Sequence, residues 1–194
     1  GHAIVASSLP NCDPVHKVTI VPRGMAGGYV LALPEDDRTL TSRAKLLDDM
    51  AFALGGRAAE ELVFDDITSG ASNDLERVTQ MARQMITRLG MSKELGPRVY
   101  GQKEELVFLG REISEQRDYS ESVAETIDNE VLALVNDALK RAHEVLTKYK
   151  DKLDEVAQKL IEVETLTREE FEKIFPSPVE KRSGTPMLAG SNSH

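Results

Sequence analysis

The sequence predicts a protein that is mainly α with a small β-sheet, on three observations. Apolar residues recur at three- and four-residue spacing in several segments, the longest of them in the C-terminal third. Only two short runs, His16 to Val21 and Tyr29 to Leu33, are rich in β-branched or aromatic residues, and Gly27-Gly28 lies between them. At 194 residues with 40% hydrophobic content the chain can bury a sizeable core.

Taken in order, Gly1-His2-Ala3-Ile4-Val5-Ala6 runs into Leu9-Pro10 as a short apolar helix, and Asn11 to Pro14 turns the chain. The two β runs then pair as a hairpin or as neighbours in a sheet, with His16 an ordinary strand residue. Thr41 or Ser42 can cap a helix with Ala44, Leu47, Ala51, Leu54, Ala58 and Leu62 on its apolar face. Gly55-Gly56 would weaken that helix, so tight packing against a neighbour is expected there. Leu75, Val78, Ala82, Met85, Ile86 and Leu89 mark the next helix, capped by Ser72 or Asn73 and stopped at Gly90. Met91 to Gly110 is less regular, with Gly96-Pro97 as a breaker and Leu106 to Leu109 as a short apolar piece. Ser122-Val123-Ala124-Glu125 has the form of a capping box before a long amphipathic helix, with Asp128, Glu130, Asp137, Lys140, Arg141 and Glu144 on its wet side. His143, among charged neighbours, is expected at the surface. Asp151 starts another helix, and Thr167-Arg168-Glu169-Glu170 forms a second capping box. Ser177 to His194 has almost nothing to bury and is expected to be a disordered tail.

The net charge of −9 argues against nucleic acid as the main partner and against adsorption to anionic lipid. A single cysteine, Cys12, excludes an internal disulfide framework. No apolar run approaches the ~20 residues that span a bilayer, and the N-terminus lacks the pattern of a signal peptide.

One carboxylate stands out. Asp74 lies one turn before Val78 and two before Met81, so its side chain is aimed towards the buried side of its helix. An acid in a first helical turn is ordinarily held by the helix dipole and exposed amides. The alternative is a metal ion, which needs other ligands brought near by the fold.

Several blocks occur in a telling order together with Asp74: Gly1-His2-Ala3-Ile4-Val5-Ala6, Asp13-Pro14-Val15-His16-Lys17-Val18-Thr19-Ile20, Pro22-Arg23-Gly24, Gly55-Gly56-Arg57-Ala58-Ala59-Glu60-Glu61 and Phe108-Leu109-Gly110-Arg111. Together they resemble the peptidase domain of the FtsH family, membrane-anchored ATP-dependent zinc metalloproteases. The likeness covers about residues 1 to 175. It implies that Gly1-His2 ends a His-Glu-x-x-His helix, with His2 as second histidine and Asp74 as third protein ligand of zinc. The first histidine and the base glutamate would precede residue 1, so this chain alone is expected to be inactive. Glu60 and Glu61 rank behind Asp74 as ligands. The resemblance also implies that substrate, an unfolded polypeptide, adds as a strand along Gly27, Gly28, Tyr29, Val30 and Leu31. It further implies a homo-hexamer, a membrane anchor and an ATPase using ATP and magnesium upstream, and a cytoplasmic or matrix-side position for this domain, which itself touches no membrane.

On that likeness residues 1–115 form the metal-bearing metalloprotease half with the small sheet, 116–176 a C-terminal helical bundle of the same domain, and 177–194 the tail. Two other readings stand beside it. One is a non-enzymatic helical oligomerisation or interaction domain in which Asp74 only opens a helix; the other is a relative that has lost catalysis.

Overall fold

A single long helix organises the packing in the computed structural model, which describes residues 1–22, 27–34, 40–101 and 118–182. The Phe108-Leu109-Gly110-Arg111 block, Arg23 and Gly24, the apolar piece at 106–109 and residues 183–194 of the expected tail lie outside the described residues.

The helices and strands in chain order are α1 (His2–Ser8), β1 (Val15–Thr19), β2 (Tyr29–Ala32), α2 (Arg43–Ala53), α3 (Gly55–Phe64), α4 (Ser72–Thr87), α5 (Glu121–Lys148), α6 (Lys150–Val163), β3 (Thr165–Thr167) and α7 (Arg168–Ile174). The long helix is α5. Ile127, Val131, Leu134, Ala138, Ala142 and Leu146 recur along it at helical spacing and are buried, and α1, α2, α3 and α4 all pack on it. Leu146 has no exposed surface. Leu146→Ala is therefore expected to destabilise the fold by about 2 to 5 kcal/mol, read from urea denaturation; a loss under about 1 kcal/mol would show that α5 is not the packing centre.

The mainly α class with a small sheet is what the structure has, with differences at element ends. Ser120, not Ser122, caps α5, its hydroxyl accepting from the Val123 amide at 3.4 Å. Ser42 caps α2 as expected. The single helix expected from Ala44 to Leu62 is two helices joined at Leu54, and the break falls just before the glycine pair. Neither Ser72 nor Asn73 caps α4 with its side chain; a 3-10 turn, Ser69–Ala71, leads into it instead. Leu89 lies past the end of α4 and is exposed. The Thr167/Glu170 capping box of α7 is present in both directions.

The sheet has the order β2-β1-β3, all antiparallel. β1 is shorter than its β-branched run suggests, because Ile20 and Val21 have left the ladder and are exposed. β3 was not legible at three residues. It pairs Thr165 with Thr19 and Leu166 with Val18, tying the C-terminal helices to the first strand.

Two polar residues sit differently from their expected places. Arg141, assigned to the wet side of α5, reaches the buried Asp48 on α2, its Nη1 2.7 Å from Oδ1. The other oxygen, Oδ2, accepts from the Asn11 amide at 3.0 Å and from Asn11 Nδ2 at 2.8 Å. A buried carboxylate must be paired, and this one gathers α1's exit, α2 and α5 around itself. His143, expected at the surface, is half-buried and hydrogen-bonds Glu61 across the α3–α5 contact.

Candidate metal centre

His2 and Asp74, 72 positions apart, meet. Nε2 of His2 lies 3.2 Å from Oδ2 of Asp74, and each side chain is about one-third exposed (31% and 33%). α1 brings the imidazole, and the first turn of α4 brings the acid. They share the wall of a cleft of about 590 Å³ with Gly27, Gly28, Tyr29 and Val30, over an apolar floor that includes Ile4, Val18, Val156 and Leu160. Leu31, expected to share the strand-edge role, is on β2 but does not line the cleft.

Close helix packing sets the imidazole. A Cβ at Gly55 would lie 3.0 Å from His2 Cα, and a Cβ at Gly56 would overlap the His2 ring itself. The tight packing expected of the glycine pair is thus the α1–α3 crossing, and only glycine at 56 leaves the ring its place. On another side Phe52 meets the ring edge-on, with centroids 5.7 Å apart.

The donor chemistry fits a divalent cation. Two ligands held at the ~2.0–2.1 Å typical of zinc in tetrahedral geometry sit about 3.3 Å apart, close to the His2–Asp74 separation, which also suits a hydrogen bond. An imidazole nitrogen and a carboxylate oxygen are both accepted zinc ligands. Cys12 is unsuited: burial, the main cause, pushes its thiol up to about 12, so it stays protonated at neutral pH. Among the described residues no third His, Cys, Asp or Glu joins the pair.

The sequence model of peptidase family M41 matches residues 1–174. The chain belongs to this family. It is 54% identical over 190 residues to a protein of Sphaerobacter thermophilus named ATP-dependent zinc metalloprotease FtsH 1, a match that covers 98% of this chain and 28% of that one. It is 55% identical over 175 residues to the ATP-dependent zinc metalloprotease FtsH of Kosmotoga olearia (90% and 27%) and 50% identical over 182 residues to that of Thermotoga maritima (93% and 30%). The M41 chain therefore spans less than a third of the length of these relatives, and the resemblance carried by the ordered blocks is borne out.

In this M41 chain the two glutamates of α3 have other partners. Glu60 accepts from the Thr68 amide and from the Thr68 hydroxyl, both at 3.0 Å, while that hydroxyl accepts from the Gly70 amide. Glu60 thus ties down the loop that leads to Asp74. Glu61 pairs with Arg57 at 2.9 Å and with His143. Neither joins the His2–Asp74 pair. Phe52 and Arg77 line the cleft without having been anticipated. Arg77 had a signal, lying three residues after Asp74 on the same face, whereas Phe52 was hidden in an apolar helix pattern. Among the described residues no helix is long and apolar enough to cross a membrane.

Proposed function

We propose that this chain is the peptidase domain of a membrane-anchored, ATP-dependent zinc metalloprotease that degrades unfolded or membrane polypeptides. The observation that carries the reading is the convergence of His2 and Asp74 in a cleft lined in part by β2, the outer strand of the sheet. One side of β2 pairs with β1, and no strand covers the other side among the described residues. An extended polypeptide can add there through main-chain hydrogen bonds, which serve any sequence and so suit a protease that accepts many substrates. Gly27, Gly28, Tyr29, Val30 and Leu31 would carry that contact.

His2 Nε2 and Asp74 Oδ2 would hold the metal together with a histidine upstream of residue 1. When bound, zinc supplies a water with a pKa near ~7 and a Lewis-acid contact to the scissile carbonyl. Asp74 would also hold the His2 ring in register, its Oδ2 lying within hydrogen-bond distance of Nε2. The Phe52 edge and the Gly56 surface restrict the ring to one orientation, and the apolar floor of the cleft receives a substrate side chain. The whole protein would be a homo-hexamer whose upstream ATPase, using ATP and magnesium, feeds this domain from a membrane anchor, with the domain on the cytoplasmic or matrix side.

Residues 1–194 contain no His-Glu-x-x-His, so the 194-residue chain by itself is expected to hold zinc weakly and to leave casein intact. Zinc content and casein hydrolysis, compared with those of a chain extended upstream through its native neighbouring residues, test this. Strong casein cleavage by the shorter chain would overturn the assignment of its catalytic groups.

A further inference from the structure

The helix that carries His2 is capped only weakly by its own exit, where the Cys12 amide reaches the Leu9 carbonyl at 3.4 Å. α1 is seven residues long, has no basic residue in its last turn, and closes with a Leu9 amide that reaches the Ala6 carbonyl only at 3.4 Å. Residues Ala3 to Ser8 are buried, so the carbonyls at that end need donors.

Shorter donor contacts come from the far end of the chain. Ser177 Oγ shares its proton between the Ser7 carbonyl at 2.9 Å and the Val179 carbonyl at 2.8 Å. Lys181 Nζ donates to the Leu9 carbonyl at 2.8 Å and also to that of Ala6. The Arg182 amide donates to the Pro10 carbonyl at 2.8 Å. Four carbonyls of α1 and its exit, those of Ala6, Ser7, Leu9 and Pro10, are thereby taken by residues 177–182, a stretch expected to be part of a disordered tail. A cation at the negative end of a helix also complements its dipole. The segment lies beyond residue 174, the last that the family model matches.

We propose that residues 177–182 are a clasp that grips α1 by its C-terminal carbonyls and so holds His2 against Asp74, with Lys181 and Ser177 as positioning residues. Ala6 is one helical turn from His2, so a grip on its carbonyl acts on the imidazole through a single turn of rigid backbone. The clasp rests on the proposed metal function only for its consequence; its mechanical part stands by itself.

The test uses the 194-residue chain and three substitutions, Lys181→Met, Lys181→Arg and Ser177→Ala. Amide hydrogen exchange over His2–Ser8 and the 15N signals of the His2 ring are the metal-free readouts. Lys181→Met is expected to speed exchange in α1 about 10-fold with α5 unchanged, and to shift the ring signals towards those of a free imidazole. Lys181→Arg, which keeps charge and donors, restores both. Ser177→Ala gives the same changes to a smaller degree and decides alone if Lys181→Met also loosens α5. Unchanged ring signals in Lys181→Met and Ser177→Ala would overturn the clasp, even if α1 exchanged faster. In the upstream-extended chain, with zinc alone as probe, Lys181→Met is expected to weaken binding about 10-fold. A parent with a fixed His2 ring but no zinc affinity would sink the metal reading and leave the clasp standing.

Discussion

Asp74→Asn, in a chain that also carries the upstream His-Glu-x-x-His residues, is expected to lose its zinc on dialysis and to hydrolyse casein at least ~100-fold more slowly. Groups that merely support a ligand are worth about 10- to 100-fold in metal affinity or activity, and a ligand cannot be worth less. Asparagine keeps the size and the oxygen but not the charge, so the variant isolates the anion. If Asp74 only complemented the dipole of α4, the loss would be about 0.3 to 1 kcal/mol of stability, with zinc retained. The two outcomes are therefore separated by what is measured as well as by size: metal content and turnover on one side, a small change in melting temperature on the other. A variant that keeps zinc and full turnover would remove Asp74 from the centre.

The sequence already contained this pair, but in unequal measure. Asp74 was visible because periodicity places it on a helix's inner face, and that argument needs only local spacing. The approach of His2 to it is a contact across 72 positions and was reached through family likeness, not through any rule of spacing. The same divide runs through the fold. Helices with long apolar stripes, α4 and α5 above all, were legible, as was the α7 capping box, since both signals are local. Cap choice at Ser120 and the helix break at Leu54 were missed by one or two residues, because neighbouring serines compete for the same amides and because a break shows in the backbone before it shows in the glycines. β3 has three residues and acquires its strand character from β1 alone. Arg141, Lys181 and Ser177 looked like solvated polar residues, yet their partners are a buried acid and the carbonyls of α1. Nothing within a few residues of them announces either partner.

Gly56→Ala separates the position of the imidazole from the stability of the fold. In a helix interior alanine is favoured over glycine by about 1 kcal/mol; Gly56 is the second residue of α3, where the gain is smaller, but on propensity alone this variant should still be no less stable. Geometry reverses the effect at the centre, because the new methyl would occupy space now filled by the His2 ring, with Nδ1 only 3.1 Å and Nε2 3.3 Å from the Cβ position. Phe52 closes one side of the ring, so the imidazole must leave its place beside Asp74. Zinc affinity of the upstream-extended chain, measured by competition with a chromogenic chelator, is expected to fall about 10- to 100-fold while the melting temperature changes by only a few degrees. Gly55→Ala gives the complementary result. Its Cβ would press on His2 Cα at 3.0 Å and on Gly1 C at 3.2 Å, backbone atoms that cannot rotate away, so α1 and α3 must separate and stability falls by about 1 to 3 kcal/mol. Equal zinc affinity in Gly56→Ala and the parent would mean that the ring can shift without leaving the centre, and the close crossing of α1 and α3 would then serve packing alone.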